Sequence, residues 1–203
     1  MMIDYDVPRL ISLPGNSLSR RKQMQFYSSK IQLDKKVIDD IFSEIKPNTK
    51  MLVFGLGFDS KMWSNATNTF FIENNDAYIK MNQNLPNIIK YEYKNINLLS
   101  QKSDEDLKLY SIPKDISENA PYDIILIDGP TGFNITQPGR MIPIYWSTKL
   151  SKPGTLIYVD DSSRKAEKKF ISRFLPKHIK TFVERNQCVK IVWEQTFCAQ
   201  NFL

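Results

Sequence analysis

The chain has 203 residues, 41% of them hydrophobic, with 28 Lys and Arg against 22 Asp and Glu for a formal net charge of +6. That length suits one domain with a sizeable buried core, and the lysines are scattered as on a solvated surface, which disfavours a nucleic-acid partner. No run of about 18 apolar residues marks a membrane span, the start "MMIDYDVPRL" lacks the apolar segment of a signal peptide, and Cys188 with Cys198 makes neither a disulfide framework nor a zinc site, so a cytoplasmic protein is expected.

Residues 1–33 read as an N-terminal extension, in which "SRRKQMQFYSSK" (19–30) is either a solvated basic face or a cover for a substrate groove. A single domain is expected over 34–203. It opens with a helix at 34–46, where Val37, Ile38, Ile41, Phe42 and Ile45 recur at helical spacing, Asp34 is placed to cap and Pro47 to stop it. "KMLVFG" (50–55), "TFFIE" (69–73), "IIKYEY" (88–93), "YDIILID" (122–128), "GTLIYVDD" (154–161) and "CVKIVWEQ" (188–195) read as strands. Helices are predicted between them at 59–66, 75–84, 137–150 and 163–174. Continuous apolar strands alternating with helices imply an α/β fold, a mostly parallel central sheet with helices on both faces. Such sheets bind ligands outside the carboxyl ends of their strands.

The strand ends therefore hold the candidate residues. Gly55-Leu56-Gly57 follows the first strand, either as an ordinary turn or as bared backbone for a cofactor; the third glycine of G-x-G-x-x-G is missing. Glu73 ends the second strand, where a carboxylate can accept both hydroxyls of a ribose. Asp128 ends the fourth, followed by Gly129, and Asp160 with Asp161 ends the fifth. Three carboxylates on adjacent strand ends need compensation. A hard divalent cation such as Mg²⁺ or Mn²⁺ would supply it, unless one of Asp160 and Asp161 simply caps the next helix. Arg140, in the loop Gln137–Arg140, is placed to hold a carboxylate or a sugar hydroxyl. His178 falls outside every strand end, so no Ser-His-Asp triad can be assembled, and no phosphate-binding G-x-x-x-x-G-K-[ST] loop is present.

The collinear motifs "LVFGLGFDSKMW", "FFIENNDAYI", "YDIILIDGPTGF", "PGRM" and "IYVDDSSRKAEKKF" resemble the glucuronoxylan 4-O-methyltransferase family over about residues 50–175. The resemblance implies a Rossmann-like class I methyltransferase fold and methyl transfer from S-adenosylmethionine to a sugar hydroxyl. It implies that Gly55, Leu56 and Gly57 border the methionine part of the cofactor, that Glu73 holds the ribose, that Asp128 faces the reacting centre and that Arg140 helps hold the sugar. Phe54, Asp59, Ser60, Asn74 and Gly129 complete the expected cofactor contacts. The chain departs from the family at Phe58, where a histidine is usual, and at Asp160-Asp161 in place of His-Asp. The placement of Asp128, Asp160 and Asp161 is also similar to the metal-binding carboxylates of catechol-type O-methyltransferases, which implies a cation there. The expected catalytic set is Asp128, Asp161 and Arg140, and the expected acceptor a glycan. The domain would stand alone or belong to a larger chain that also contains glycosyltransferases. Two other readings stay open: a nicotinamide-dependent oxidoreductase, and a non-catalytic module of the same fold that binds glycans or partners.

Overall fold

A computed structural model describes residues 30–93, 104–132, 137–177, 179–183 and 187–194. Helix α1 (Lys35–Glu44) forms as the spacing predicts: Asp34 accepts from the Lys36 N–H at 2.8 Å, and Val37, Ile38, Ile41 and Phe42 are buried. Strand β1 (Lys50–Phe54) leads through the glycine turn to α2 (Ser60–Ala66), then β2 (Asn68–Glu73), α3 (Asp76–Met81) and β3 (Ile88–Lys90). Two short helices that the sequence pattern does not announce follow, α4 (Asp104–Lys108) and α5 (Lys114–Ser117). Then come β4 (Tyr122–Ile127), α6 (Met141–Leu150), β5 (Ser151–Val159), α7 (Lys165–Phe174), β6 (Lys180–Phe182) and β7 (Cys188–Val192).

The seven strands form one sheet in the order β3-β2-β1-β4-β5-β7-β6. The first five are parallel to their neighbours, whereas β7 runs antiparallel to both β5 and β6. The sheet is thus mostly parallel, as expected; the unexpected strand is β6, three residues long and without a strand-like run of its own.

Both faces are covered, which is why the strands are apolar throughout. Along β1, Leu52 and Phe54 enter one cluster with Trp146, Ile142 and Phe174, while Met51 and Val53 enter the opposite cluster with Ile38, Ile41 and Trp63. Helix α6 is buried along nearly its whole length and Pro143 is accommodated in its first turn, where its missing N–H costs nothing. It begins at Met141 rather than at the predicted 137, because Gly139 has φ +67°. At the far side of the sheet the Lys190 ammonium, only 6% exposed, reaches Asp40 at 2.8 Å and Glu44 at 2.6 Å, and Asp40 also accepts from Lys180 and the Tyr158 hydroxyl. Burial works to raise the Asp40 pKa, but these three donors outweigh it and the net shift is downward.

Candidate active site

The glycine turn is built by packing first. Gly55 has φ +108°, and a Cβ there would lie 3.1 Å from the Gly129 nitrogen; a Cβ on Gly129 would lie 2.9 Å from the Gly55 Cα. The ends of β1 and β4 therefore touch backbone to backbone, which only glycine permits. Gly57 donates its N–H to Ser60 Oγ at 2.8 Å, and Asp59 accepts from the Trp63 indole at 2.8 Å. Ser60 and Asp59 thus hold the turn together. Phe54 is a core residue, fully buried and 6.4 Å from the Trp146 ring, so only its backbone borders the turn.

Glu73 stands at the end of β2 facing that turn and is 6% exposed. Its Oε2 accepts from the Leu56 N–H, and its Oε1 from the N–H groups of Asn74 and Asn75, each at 2.7 Å. Two carboxylate oxygens offer about four lone-pair sites, so one on Oε2 remains for a ligand. The Tyr93 hydroxyl is buried without a hydrogen-bond partner among the described residues. Burial first, then the charge of Glu73, pushes the phenol well above its ordinary pKa, so it stays a donor. An orphaned donor beside a carboxylate with an open acceptor site suits a ribose-bearing ligand; the residues present fit S-adenosylmethionine.

The three aspartates do come together, and they do so around Arg140. Its Nη2 donates to Asp161 Oδ2 at 2.6 Å, to the Asp128 carbonyl at 2.9 Å and to Asp128 Oδ1 at 3.3 Å. Its Nη1 donates to the Asp160 carbonyl and lies 3.9 Å from the Asp160 carboxylate. Arg140 is 3% exposed. The compensation that the carboxylates require is thus a guanidinium. A divalent cation needs oxygen ligands at about 2.0–2.6 Å and no positive group against it, and here it would lie against the Arg140 guanidinium. The cation expected at Asp128, Asp160 and Asp161 does not fit this arrangement, and no group of metal-holding geometry occurs among the described residues.

The aspartates are not equivalent. Burial pushes Asp128 well above the usual carboxylate range, opposed by Arg140 and helped by Asp160 and Asp59. Asp160 is raised by burial too, and the two carboxyls hydrogen-bond to each other. Asp128 still has 30% of its side chain open, so solvent and ligands reach it. Asp161 is held by Arg140 and by Arg164, at 2.7 Å, with φ +55° in the left-handed region. Two guanidinium partners and a side-chain exposure of 10% hold Asp161 fixed at the end of β5. The sequence reading missed Arg164, Tyr93 and Glu167. Arg164 was signalled only by its i+3 spacing from Asp161, and Tyr93 and Glu167 by nothing. Cys188 is a buried free thiol, raised in pKa by burial; Cys198, His178 and residues 19–29 lie outside the described residues.

The sheet order, the glycine turn after β1 and the acid after β2 together define the fold of the class I S-adenosylmethionine-dependent methyltransferases. A solved candidate O-methyltransferase from Klebsiella pneumoniae shares it at a TM-score of 0.52 and 14% identity, covering 89% of this chain and 91% of that one. Within that class the chain is similar to the family described as IRX15/IRX15L/GXM, whose model matches residues 93–187. It is 31% identical over 173 residues to glucuronoxylan 4-O-methyltransferase 2 of Arabidopsis thaliana, and 26% identical over 168 residues to arabinogalactan O-methyltransferase 1 of the same plant. These matches take 71% and 67% of this chain but 58% and 57% of the relatives, so the chain spans somewhat more than half of their length. The family resemblance read from the motifs is borne out.

Proposed function

We propose that the protein is an S-adenosylmethionine-dependent O-methyltransferase that acts on a sugar hydroxyl of a glycan. One observation carries the reading: Glu73, with an acceptor site to spare, faces the glycine turn, while the reachable Asp128 carboxylate stands at the end of β4. The relatives named for methylation of glucuronoxylan and arabinogalactan support the acceptor class.

When bound, S-adenosylmethionine supplies a methyl group on a positively charged sulfur. The chain's own task is to bring a hydroxyl oxygen in line and take its proton. Asp128 is the base: it ends β4 with part of its side chain open to the site, and burial raises its pKa, which strengthens it as a proton acceptor. Asp160 steadies the proton once it has arrived. Arg140 fixes the Asp128 carbonyl and carboxylate and pins Asp161 away from the reaction. No step requires a cation.

The test is titration calorimetry of the full chain with S-adenosylhomocysteine and with NADH, followed by a methylation assay on glucuronoxylan. Binding of the first alone, with transfer lost in Asp128→Asn, is the expected result. Binding of NADH alone would replace the reading with the oxidoreductase one. Cofactor binding with no transfer to any glycan would make the chain a non-catalytic module.

A further inference from the structure

Residues 164–180 hold seven Lys and Arg against a single acid, Glu167, a net of +6 that equals the formal charge of the whole chain. The positive excess is therefore concentrated on one stretch and not scattered, as composition alone suggests. Helix α7 gives that stretch two sides. Glu167, Phe170, Ile171 and Phe174 are buried, and the three apolar ones enter the same cluster as Val189 and Ile191. Lys165, Lys168, Lys169 and Ser172 are spaced by three and four, so they share the opposite side, and all four are exposed. Arg173 stands beside them with its guanidinium over the Phe174 ring at 4.7 Å, and Lys177 is exposed just past the helix. The one acid is turned inward, so no carboxylate of α7 interrupts its basic side.

Exposed aliphatic residues stand on the same side of the sheet. Thr181 pairs with Val189, which belongs to the cluster beneath α7, while Phe182 and its partner Cys188 belong to the cluster beneath α1. Side chains alternate along a strand, so Ile179, Thr181 and Val183 project to the α7 side. Ile179 is 61% and Val183 72% exposed, on the outermost strand of the sheet. Lys180 projects the other way, onto Asp40, and is not part of this surface. Cations flanked by exposed aliphatic side chains suit an anionic lipid surface: the ammonium groups meet the headgroups and the aliphatic ends enter the acyl boundary. A soluble polyanion would use the cations alone. The exposed side of α7 also offers no aromatic ring on which a base or a sugar could stack.

We propose that the basic side of α7, with Ile179 and Val183, is a docking surface for an anionic lipid bilayer. Arg164, at the start of the helix, binds Asp161 at 2.7 Å. The element that meets the bilayer thus reaches the candidate active site, and an acceptor carried at the membrane surface would be presented there. Docking of this kind does not depend on which chemistry the site performs.

The experiment is cosedimentation of the full chain with vesicles of phosphatidylcholine, alone or with about a third of phosphatidylglycerol, at low and at high salt. Binding to the mixed vesicles alone, weakened by salt, is expected. Lys165→Ala, Lys168→Ala and Lys169→Ala combined should weaken it on the order of 10²-fold, about fivefold for each cation near the surface. Ile179→Ser with Val183→Ser should weaken it by about tenfold. Removing as many cations elsewhere, in Lys61→Ala, Lys80→Ala and Lys108→Ala combined, should change it less than about threefold. All these side chains are exposed, so each variant should unfold within about 4 °C of the native chain, checked by circular dichroism. Equal losses from the two sets of lysines would reduce the binding to net charge and overturn the proposal. So would binding that the two serines leave unchanged. A native chain that ignores the mixed vesicles would also overturn it, and binding to polygalacturonate or duplex DNA instead would assign the surface to a soluble polyanion.

Discussion

Replacing Glu73 with Gln tests whether the glycine turn is held by a single carboxylate. In the native chain both oxygens accept, one from Leu56 and the other from Asn74 and Asn75, all at 2.7 Å. A glutamine oriented to keep its oxygen on Asn74 and Asn75 turns its NH₂ toward the Leu56 N–H. That donor then has no acceptor, and Leu56 is 6% exposed, so water replaces it poorly. An orphaned buried donor costs about 1–3 kcal/mol, and the two surviving bonds lose their charge assistance, which roughly doubles the strength of such bonds. Together these amount to about 2–4 kcal/mol. For a domain of this size, each kcal/mol moves the unfolding midpoint by about 2–4 °C, so a fall of roughly 5–15 °C is expected. Far-UV circular dichroism against temperature, without ligand, measures it directly. A variant that unfolds within about 2 °C of the native chain would refute the claim that Glu73 holds the turn.

Asp128→Asn should reduce methyl transfer by about 10²–10⁴-fold, measured as initial rates, while leaving S-adenosylhomocysteine affinity nearly unchanged. It also tests the pH linkage. A carboxyl whose folded pKa is raised contributes stability that is complete below the unfolded value near 4 and is lost as pH rises through the folded value. Native stability should therefore decline above about pH 4 through the Asp128–Asp160 pair, and urea titrations at several pH values should show a flatter profile for Asp128→Asn. Gly55→Ala forces a side chain onto φ +108° against the Gly129 backbone and should cost at least about 1–3 kcal/mol by urea unfolding. Arg140→Ala strips Asp161 of one of its two cations and should cost about 3–5 kcal/mol. With the guanidinium gone, Mn²⁺ should raise the unfolding temperature of Arg140→Ala more than that of the native chain; an equal rise would show that Arg140 does not stand where a cation would.

The parallel sheet was legible because β1, β2, β4 and the second half of β5 are buried on both faces and so carry apolar runs. The short β6 was not, because Lys180, Thr181 and Phe182 are strand residues only by virtue of pairing with Cys188, Val189 and Lys190. Gly55 and Glu73 could be singled out from spacing, but their relation could not: one is a glycine because of Gly129, far along the chain, and the other, expected to hold a ribose, also bonds the Leu56 N–H of the turn. Asp128, Asp160 and Asp161 were found together, and the need for a positive charge among them was correctly inferred from repulsion. The identity of that charge was not, since Arg140 reaches them by a loop whose course depends on the left-handed Gly139. Glu167 gave no signal, because a Glu in "SSRKAEKKF" looks like any solvated helix residue until its burial is known.

The ion cluster of Lys190, Asp40, Glu44 and Lys180 joins residues 140 to 150 positions apart. These contacts are among the longest in sequence separation, so the polar side of α1 is not satisfied until β7 has been synthesised and paired. During synthesis the apolar face of α1 can pack early on β1 and Trp63, whereas Asp40 and Glu44 wait for cations that arrive almost last. A chain cut before Cys188 would take the Lys190 ammonium from Asp40 and Glu44 and bare the side of β5 along one edge. Such a fragment would expose an unpaired β5 edge beside two unpaired carboxylates of α1, an edge that invites pairing with another chain.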